Sequence, residues 1–239
     1  MNLIIDVGNT STKVAAFDGE TLVKLEKYDR FDQSIIQNDF DITVFQSAIL
    51  CNVTEGNERL ETFISSFERG HILSICSKIP FKNNYLTPDS LGQDRLANAA
   101  GLAVKFPNYN SLCIDIGTCM KFDFVDADGN YRGGAISPGF NMRFKALNTF
   151  TDKLPFIDLQ STKKLIGNDT EGSIISGVYN GMLAEINGII KCYQEQFNEI
   201  NIVLTGGDAA FFENELKNTI FADAFFTLRG LNAILSVNV

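Results

Sequence analysis

One short pattern occurs twice in this chain. Ile5-Asp6-Val7-Gly8 and Ile114-Asp115-Ile116-Gly117 match at an offset of 109 residues, each followed closely by a hydroxyl (Thr10, Thr118) and further on by an Asp-Gly turn (Asp18-Gly19, Asp128-Gly129). Around each copy the pattern is that of short strands joined by tight turns: apolar runs at residues 3–6, 13–17 and 22–28, and again through "SLCIDIGTCMKFDFVDADGNYRGGAIS". After the first meander, "DITVFQSAIL" reads as a buried strand, and "ERLETFISSFE" as an amphipathic helix with Leu60, Phe63, Ile64 and Phe67 at i, i+3, i+4 and i+7. The alanine-rich "RLANAAGLAVKF" and the long "EGSIISGVYNGMLAEINGIIKCYQEQF" are helices. "INIVLTGGDA" is a strand running into a glycine turn that opens a helix, and a short terminal helix lies around residues 231–235. The fold class is α/β, as two copies of one meander-plus-α/β unit. The polar, turn-rich stretch at 107–110 is the expected boundary, giving units 1–108 and 109–239.

A strand that ends in Asp-x-Gly and a bed of hydroxyls is suited to phosphate. Glycine frees backbone N–H groups for phosphate oxygens, and the strand-end carboxylates Asp6 and Asp115 can hold cations directly or through water. Lys13 adds a point charge, and the third glycine turn, "LTGGDA", would rest against a nucleotide's sugar or α-phosphate. If the two halves face each other, the three turns form a phosphate clamp. Taken singly each is an ordinary β-turn, since Asp and Gly are common turn residues; the duplicated spacing is what argues for function. P-loop, dinucleotide-binding and protein-kinase signatures do not occur.

Twenty Lys and Arg against twenty-nine Asp and Glu leave a net charge of −9, which disfavours nucleic acid and anionic membrane surfaces as partners. The five cysteines are scattered, without C-x-x-C spacing, so neither a disulfide framework nor a structural zinc site is expected. With no basic and apolar leader before the first strand and no uncharged run of membrane-spanning length, the expected location is the cytoplasm.

The longest loop, residues 77–94, carries two prolines and leads into the alanine-rich helix; long ordered loops tend to be functional. Within it Ser90-Leu91-Gly92-Gln93 fits a capping box, which would make Asp94 an acidic residue placed in a helix's first turn for the dipole. A catalytic carboxylate on the same turn is the competing reading, and the two are compatible. His71, the single histidine, reads as structural, Cys113 as a small core residue and Lys121 as a partly exposed strand residue. Thr170 alone reads as a helix N-cap.

Five motifs in order, "DVGNTSTK", "Y..P..LGQDR", "DIGTC", "GGAISPG" and "TGGDA", resemble the type III pantothenate kinase family of the acetate kinase/sugar kinase/Hsp70/actin superfamily, over essentially the whole chain. The first and last motifs are shared across the superfamily; "LGQDR" with "GGAISPG" is the family-specific part. The resemblance implies two duplicated ribonuclease H-like domains, the actin-like ATPase fold, with a nucleotide cleft between them. It implies phosphorylation of pantothenate by ATP, the entry step of coenzyme A synthesis. Asp6, Val7, Gly8, Asn9, Thr10, Ser11, Thr12, Lys13 and Thr118 would bind ATP, and Asp115 would ligate a monovalent cation, K+ or NH4+. Tyr85, Gly92, Gln93, Asp94, Arg95 and Thr170 would bind pantothenate, with Asp94 as proton acceptor. Mg2+ with ATP and a homodimer that completes the pantothenate pocket are implied in the same way. Cys119 and Lys121 depart from the usual second motif, and an ammonium group there would repel or replace the ion. Another small-molecule kinase of the superfamily, or a nucleotide-sensing accessory protein without catalysis, are the alternatives; the Asp94-Arg95 pair argues against the second.

Overall fold

Two sheets of one design organise the chain. The computed structural model describes all residues except 55–57, 159–163 and 217–219. Strands β1 (Asn2–Val7), β2 (Thr12–Asp18) and β3 (Thr21–Tyr28) form an antiparallel meander, and after helix α1 (Gln33–Asp39) strand β4 (Ser47–Asn52) returns parallel to β1. Helix α2 (Glu58–Ser65) leads to β5 (Arg69–Ile72), parallel to β4, so the sheet order is β3-β2-β1-β4-β5. The loop that follows holds the two-residue β6 (Lys82–Asn83) and ends in helix α3 (Gln93–Lys105).

The second copy repeats this order. Strands β7 (Asn110–Ile116), β8 (Cys119–Val125) and β9 (Asn130–Pro138) lie side by side. After helices α4 (Phe140–Thr149) and α5 (Thr170–Gln196), strands β10 (Ile200–Thr205) and β11 (Ile220–Ala222) add in parallel on β7. The order β9-β8-β7-β10-β11 repeats that of the first sheet, and β6 adds a sixth strand beyond β9. Helix α6 (Phe226–Ser236) ends the chain.

By compactness the chain divides into two units. One comprises Met1–Asn108, Val125–Gly133 and Phe225–Val239; the other comprises Tyr109–Phe124 and Gly134–Ala224. In the first unit Leu3, Ile5, Val7 and Val14 pack with Ile36, Leu60, Phe63 and Ile64 of α1 and α2, while α6 packs on β1, β4 and α3. The central strands are thus covered on both faces, which is why β1 and β4 are near-continuous apolar runs. In the second unit Leu112, Ile114, Ile116 and Phe122 pack with Phe140, Phe144, Tyr179 and Met182 of α4 and α5. Among the described residues no helix is long and apolar enough to cross a membrane.

Local chemistry moved several boundaries. "DITVFQSAIL" is a strand only from Ser47; before it the Asp41 carboxylate accepts from Thr43 N and winds Ile42–Val44 into a 3-10 turn. The Gly-Gly turn after β10 opens no α-helix, only the 3-10 turn Ala209–Phe211. Helix α4 has no counterpart in the sequence reading.

Candidate active site

The first hairpin is built by β1 and β2. Asp6 lies opposite Lys13 and Val7 opposite Thr12, and the turn closes where Gly8 N donates to Ser11 O at 3.0 Å. Asp6 and Thr12 are buried, whereas Asn9 and Thr10 are exposed at the tip. A short turn of this kind leaves polar groups facing solvent at the end of a rigid strand pair, the arrangement an anion needs.

In the second unit three motifs meet at the end of β7. The turn to β8 closes with Gly117 N donating to Cys119 O at 3.0 Å, and Thr118 sits exposed at its tip. Gly139 N donates to Thr118 O at 3.1 Å, and a β-carbon at Gly139 would collide with the carbonyl oxygens of Gly117 and Thr118. From the other side Asp208 N donates to Ile116 O at 3.0 Å, and Thr205 pairs with Asp115. Gly206 has φ +100°, and a β-carbon there would stand 2.6 Å from Asp115 Oδ1. "DIGTC", "GGAISPG" and "TGGDA" therefore converge through their glycines. Lys121, on β8, sets its Nζ 2.7 Å from Asp115 Oδ2, with only 15% and 11% of the two side chains exposed. Lys121 is the partly exposed strand residue the sequence suggested, and the structure adds its ion pair with Asp115.

The loop before α3 brings Tyr85 and the residues Gln93, Asp94 and Arg95 together. The capping box does not form: Ser90 Oγ bonds to Thr87 instead, and Gly92 is the N-cap, its carbonyl accepting from Arg95 N and Leu96 N at 3.1 Å. Gln93 is freed from capping. Its Oε1 accepts from Asn52 N at 2.9 Å and its Nε2 donates to Leu73 O at 2.9 Å, tying the start of α3 to the ends of β4 and β5. Asp94 lies in the first turn of α3, where its Oδ1 accepts from Arg95 N at 2.9 Å. Arg95 is 5% exposed, its guanidinium 5.6 Å from the ring centre of Tyr85 and 6.0 Å from that of Tyr131. Tyr131 was missed by the sequence reading. It is brought in by the pairing of β6 with β9, in which Asn83 lies opposite Tyr131.

Thr170 is the first residue of α5, in the second unit. Asp169, not Thr170, is the N-cap, its Oδ1 accepting from Gly172 N at 2.6 Å. Thr170 lines a cavity of about 1020 Å³ together with Arg143, Leu147, Leu154, Asp169 and Ser173. Arg143 is engaged there, donating from Nε to Pro138 O at 2.8 Å and from Nη2 to Ser137 Oγ at 2.9 Å, and pairing with Glu185. No signal in the sequence pointed to that network. His71 Nε2 and Ser77 Oγ are 2.8 Å apart, and burial lowers the imidazole's pKa. Cys113 is fully buried, which together with nearby carboxylates raises its thiol pKa. Among the described residues no three of His, Cys, Asp and Glu cluster as a metal cage.

Two sheets that share one five-strand order, the second extended at its edge by β6, each with an Asp-x-Gly hairpin leaving its first strand, define an α/β chain with the actin-like ATPase fold. Solved structures agree on the fold. A conserved Baf family protein from Campylobacter jejuni matches with TM-score 0.60 and 21% identity, covering 98% of this chain and 97% of that one. The activator of the 2-hydroxyisocaproyl-CoA dehydratase from Clostridium difficile, solved with bound ADPNP, matches with TM-score 0.55 and 14% identity, covering 99% and 93%. A model of the type III pantothenate kinase family matches residues 2–192. Proteins named type III pantothenate kinase are 41% identical in Cytophaga hutchinsonii, covering 100% of both chains, and 42% identical in Christiangramia forsetii, covering 100% of this chain and 99% of that one. The chain belongs to the type III pantothenate kinase family.

Proposed function

We propose that this chain transfers the γ-phosphoryl group of ATP to the primary hydroxyl of pantothenate, the first step of coenzyme A biosynthesis. Family membership over the full length supports the reaction. The observation that carries the chemistry is a carboxylate, Asp94, on the first turn of α3 beside the buried Arg95, with the backbone bond from Arg95 N to Asp94 Oδ1 restricting the carboxylate's rotation. Phosphoryl transfer needs in-line placement of the alcohol, neutralisation of spreading negative charge and a base, with little covalent chemistry beyond that. Asp94 takes the hydroxyl proton as the oxygen forms its bond to the γ-phosphorus. The bond from that phosphorus to the β–γ bridging oxygen breaks, and ADP leaves. Tyr85, Gly92, Gln93, Asp94, Arg95 and Thr170 hold the acceptor, and Arg95 supplies a cation for an acid substrate. Asp6, Val7, Gly8, Asn9, Thr10, Ser11, Thr12 and Lys13 of the first hairpin and Thr118 of the second hold ATP phosphates.

A kinase of this family uses a divalent metal with ATP, and we take it to be Mg2+. It would neutralise phosphate charge, and Asp6, largely buried at the end of β1, is the carboxylate that would hold it through water. That fits an ion that arrives on its nucleotide rather than in a protein cage. The monovalent cation implied by resemblance fits less well. Asp115 Oδ2 already holds the Lys121 ammonium, so no step is routed through a K+ ion here.

The same reading makes the chain a cytoplasmic homodimer that acts on neither nucleic acid nor membrane. The net charge of −9 supports the last point, and five cysteines without a disulfide suit a reducing compartment. Exposed Phe150, Phe156, Leu165 and Ile166, close in sequence to the residues lining the cavity at Thr170, supply apolar surface for a second copy. The experiment that tests the reaction is ADP release with Mg-ATP, comparing pantothenate with sugars, acetate and glycerol. Turnover with pantothenate alone is the expected result; turnover with another acceptor would reassign the loop at 85–95.

A further inference from the structure

Lys121 is a charged side chain at the second phosphate hairpin to which the proposed reaction gives no role. Its Nζ lies 2.7 Å from Asp115 Oδ2, and both side chains are largely buried. The first hairpin has the same pair: Asp6 lies directly opposite Lys13 across β1 and β2. Each copy of the duplicated unit thus ends its first strand in an aspartate and sets a lysine on the return strand. In the second copy the lysine is turned onto the carboxylate itself. On the Oδ1 side of that carboxylate a glycine is required, because a β-carbon at Gly206 would stand 2.6 Å from Asp115 Oδ1.

We infer that Lys121 is the resident cation of this site: its ammonium holds the position on Asp115 that a free monovalent ion would take, so that nucleotide binding and turnover need no added K+ or NH4+. The inference rests on the kinase reading above for turnover but not for nucleotide binding. A lysine ammonium is a compact, strongly hydrated point charge, chemically a tethered ammonium ion. A second cation at Asp115 would face a like charge at ion-pair distance in a poorly solvated place. A tethered cation also has no binding equilibrium with the medium, so the hairpin keeps its charge at any salt composition.

The test compares tetramethylammonium chloride with potassium chloride as the only monovalent salt. Binding of a non-hydrolysable Mg-ATP analogue is read by calorimetry and ADP release with pantothenate is read in parallel. For the unaltered protein both agree between the two salts within about twofold. In Lys121→Met, shown to be folded by its circular dichroism melt, analogue binding weakens at least about tenfold in tetramethylammonium and is restored by K+, as a carboxylate stripped of its partner takes the free ion. Lys121→Gln serves if the methionine variant does not fold. K+ dependence of analogue binding in the unaltered protein would overturn the inference, and so would a folded variant that binds equally in both salts. Absence of ADP release with pantothenate in either salt would instead fell the kinase reading, while calorimetry would still decide the role of Lys121.

Discussion

At the scale of single residues the site turns on Asp94. Replacing it by Asn keeps the shape and the oxygen that accepts from Arg95 N, and removes the carboxylate proposed as proton acceptor. Turnover in Asp94→Asn is expected to fall by about two to four orders of magnitude, the range for general base catalysis, with nucleotide affinity unchanged. Unchanged turnover would reduce Asp94 to a helix-start residue. That Asp94 opens a helix after a long loop, with Arg95 beside it, was legible in the sequence. Tyr131, which stacks near the Arg95 guanidinium, was not, because its approach depends on a strand pairing between segments far apart in the chain. His71 makes a second prediction. Ser77 Oγ accepts from Ser74 N and lies 2.8 Å from His71 Nε2. Burial lowers the folded pKa below 6.5, so the unfolded chain binds the proton first as pH falls. Stability from this group is complete above about pH 6.5 and declines below it, down to the folded pKa. Thermal melts at pH values from about 7 to 5.5 should therefore drop less in His71→Gln than in the unaltered protein. Equal drops would mean that His71 does not titrate differently on folding.

At the scale of elements, glycine decides whether the motifs meet. Gly139 opens α4 with its α-carbon against the Gly117 and Thr118 carbonyls. A methyl there must push the phosphate turn or the start of α4 aside. Gly139→Ala is expected to destabilise by about 1–3 kcal/mol, typical of overpacking, and to weaken nucleotide binding through the displaced Thr118. A melt and a nucleotide titration at the level of the unaltered protein would show the contact to be slack. The same scale explains what the sequence left hidden. Strands with one periodic signal, β1, β2, β7 and β8, were read closely, because apolar runs between turn residues have few alternatives. The capping box at Ser90 was a local rule that lost to tertiary demand: Gln93 is needed by Asn52 N and Leu73 O, and the helix is capped two residues later, on Gly92. Helix α4 buries Phe140 and Phe144 on one face, but a ten-residue helix with few other apolar anchors gives a weak periodic signal.

At the scale of the whole molecule, the duplication seen in two tetrapeptides extends to five strands of each sheet in the same order, with β6 added only to the second. A repeat is legible because the same backbone problem, a tight turn at a strand end, selects the same residues twice. Where each compact unit ends is a different matter. It depends on long-range packing, and the last fifteen residues, 225–239, belong with the first unit rather than with the strands that precede them in sequence. Helix α6 packs on α3, β1 and β4, with Gly230 so close to the Ala97 carbonyl that no side chain fits between them. Phe226, Leu228, Leu231, Ile234 and Leu235 are all buried, each worth about 1.5–3 kcal/mol, so removing α6 forfeits on the order of 10 kcal/mol. That is comparable with the entire stability of an ordinary domain, about 5–15 kcal/mol. It would also strip one face of β1, the strand that carries Asp6 and the first phosphate turn. A chain ending at residue 224 is therefore expected to lose its cooperative melt and its nucleotide binding together, even though every residue of both hairpins and of the loop at 85–95 is retained. A truncated chain that melts cooperatively near the full-length temperature would mean that α6 is an accessory and that β1 draws its stability from α1 and α2 alone.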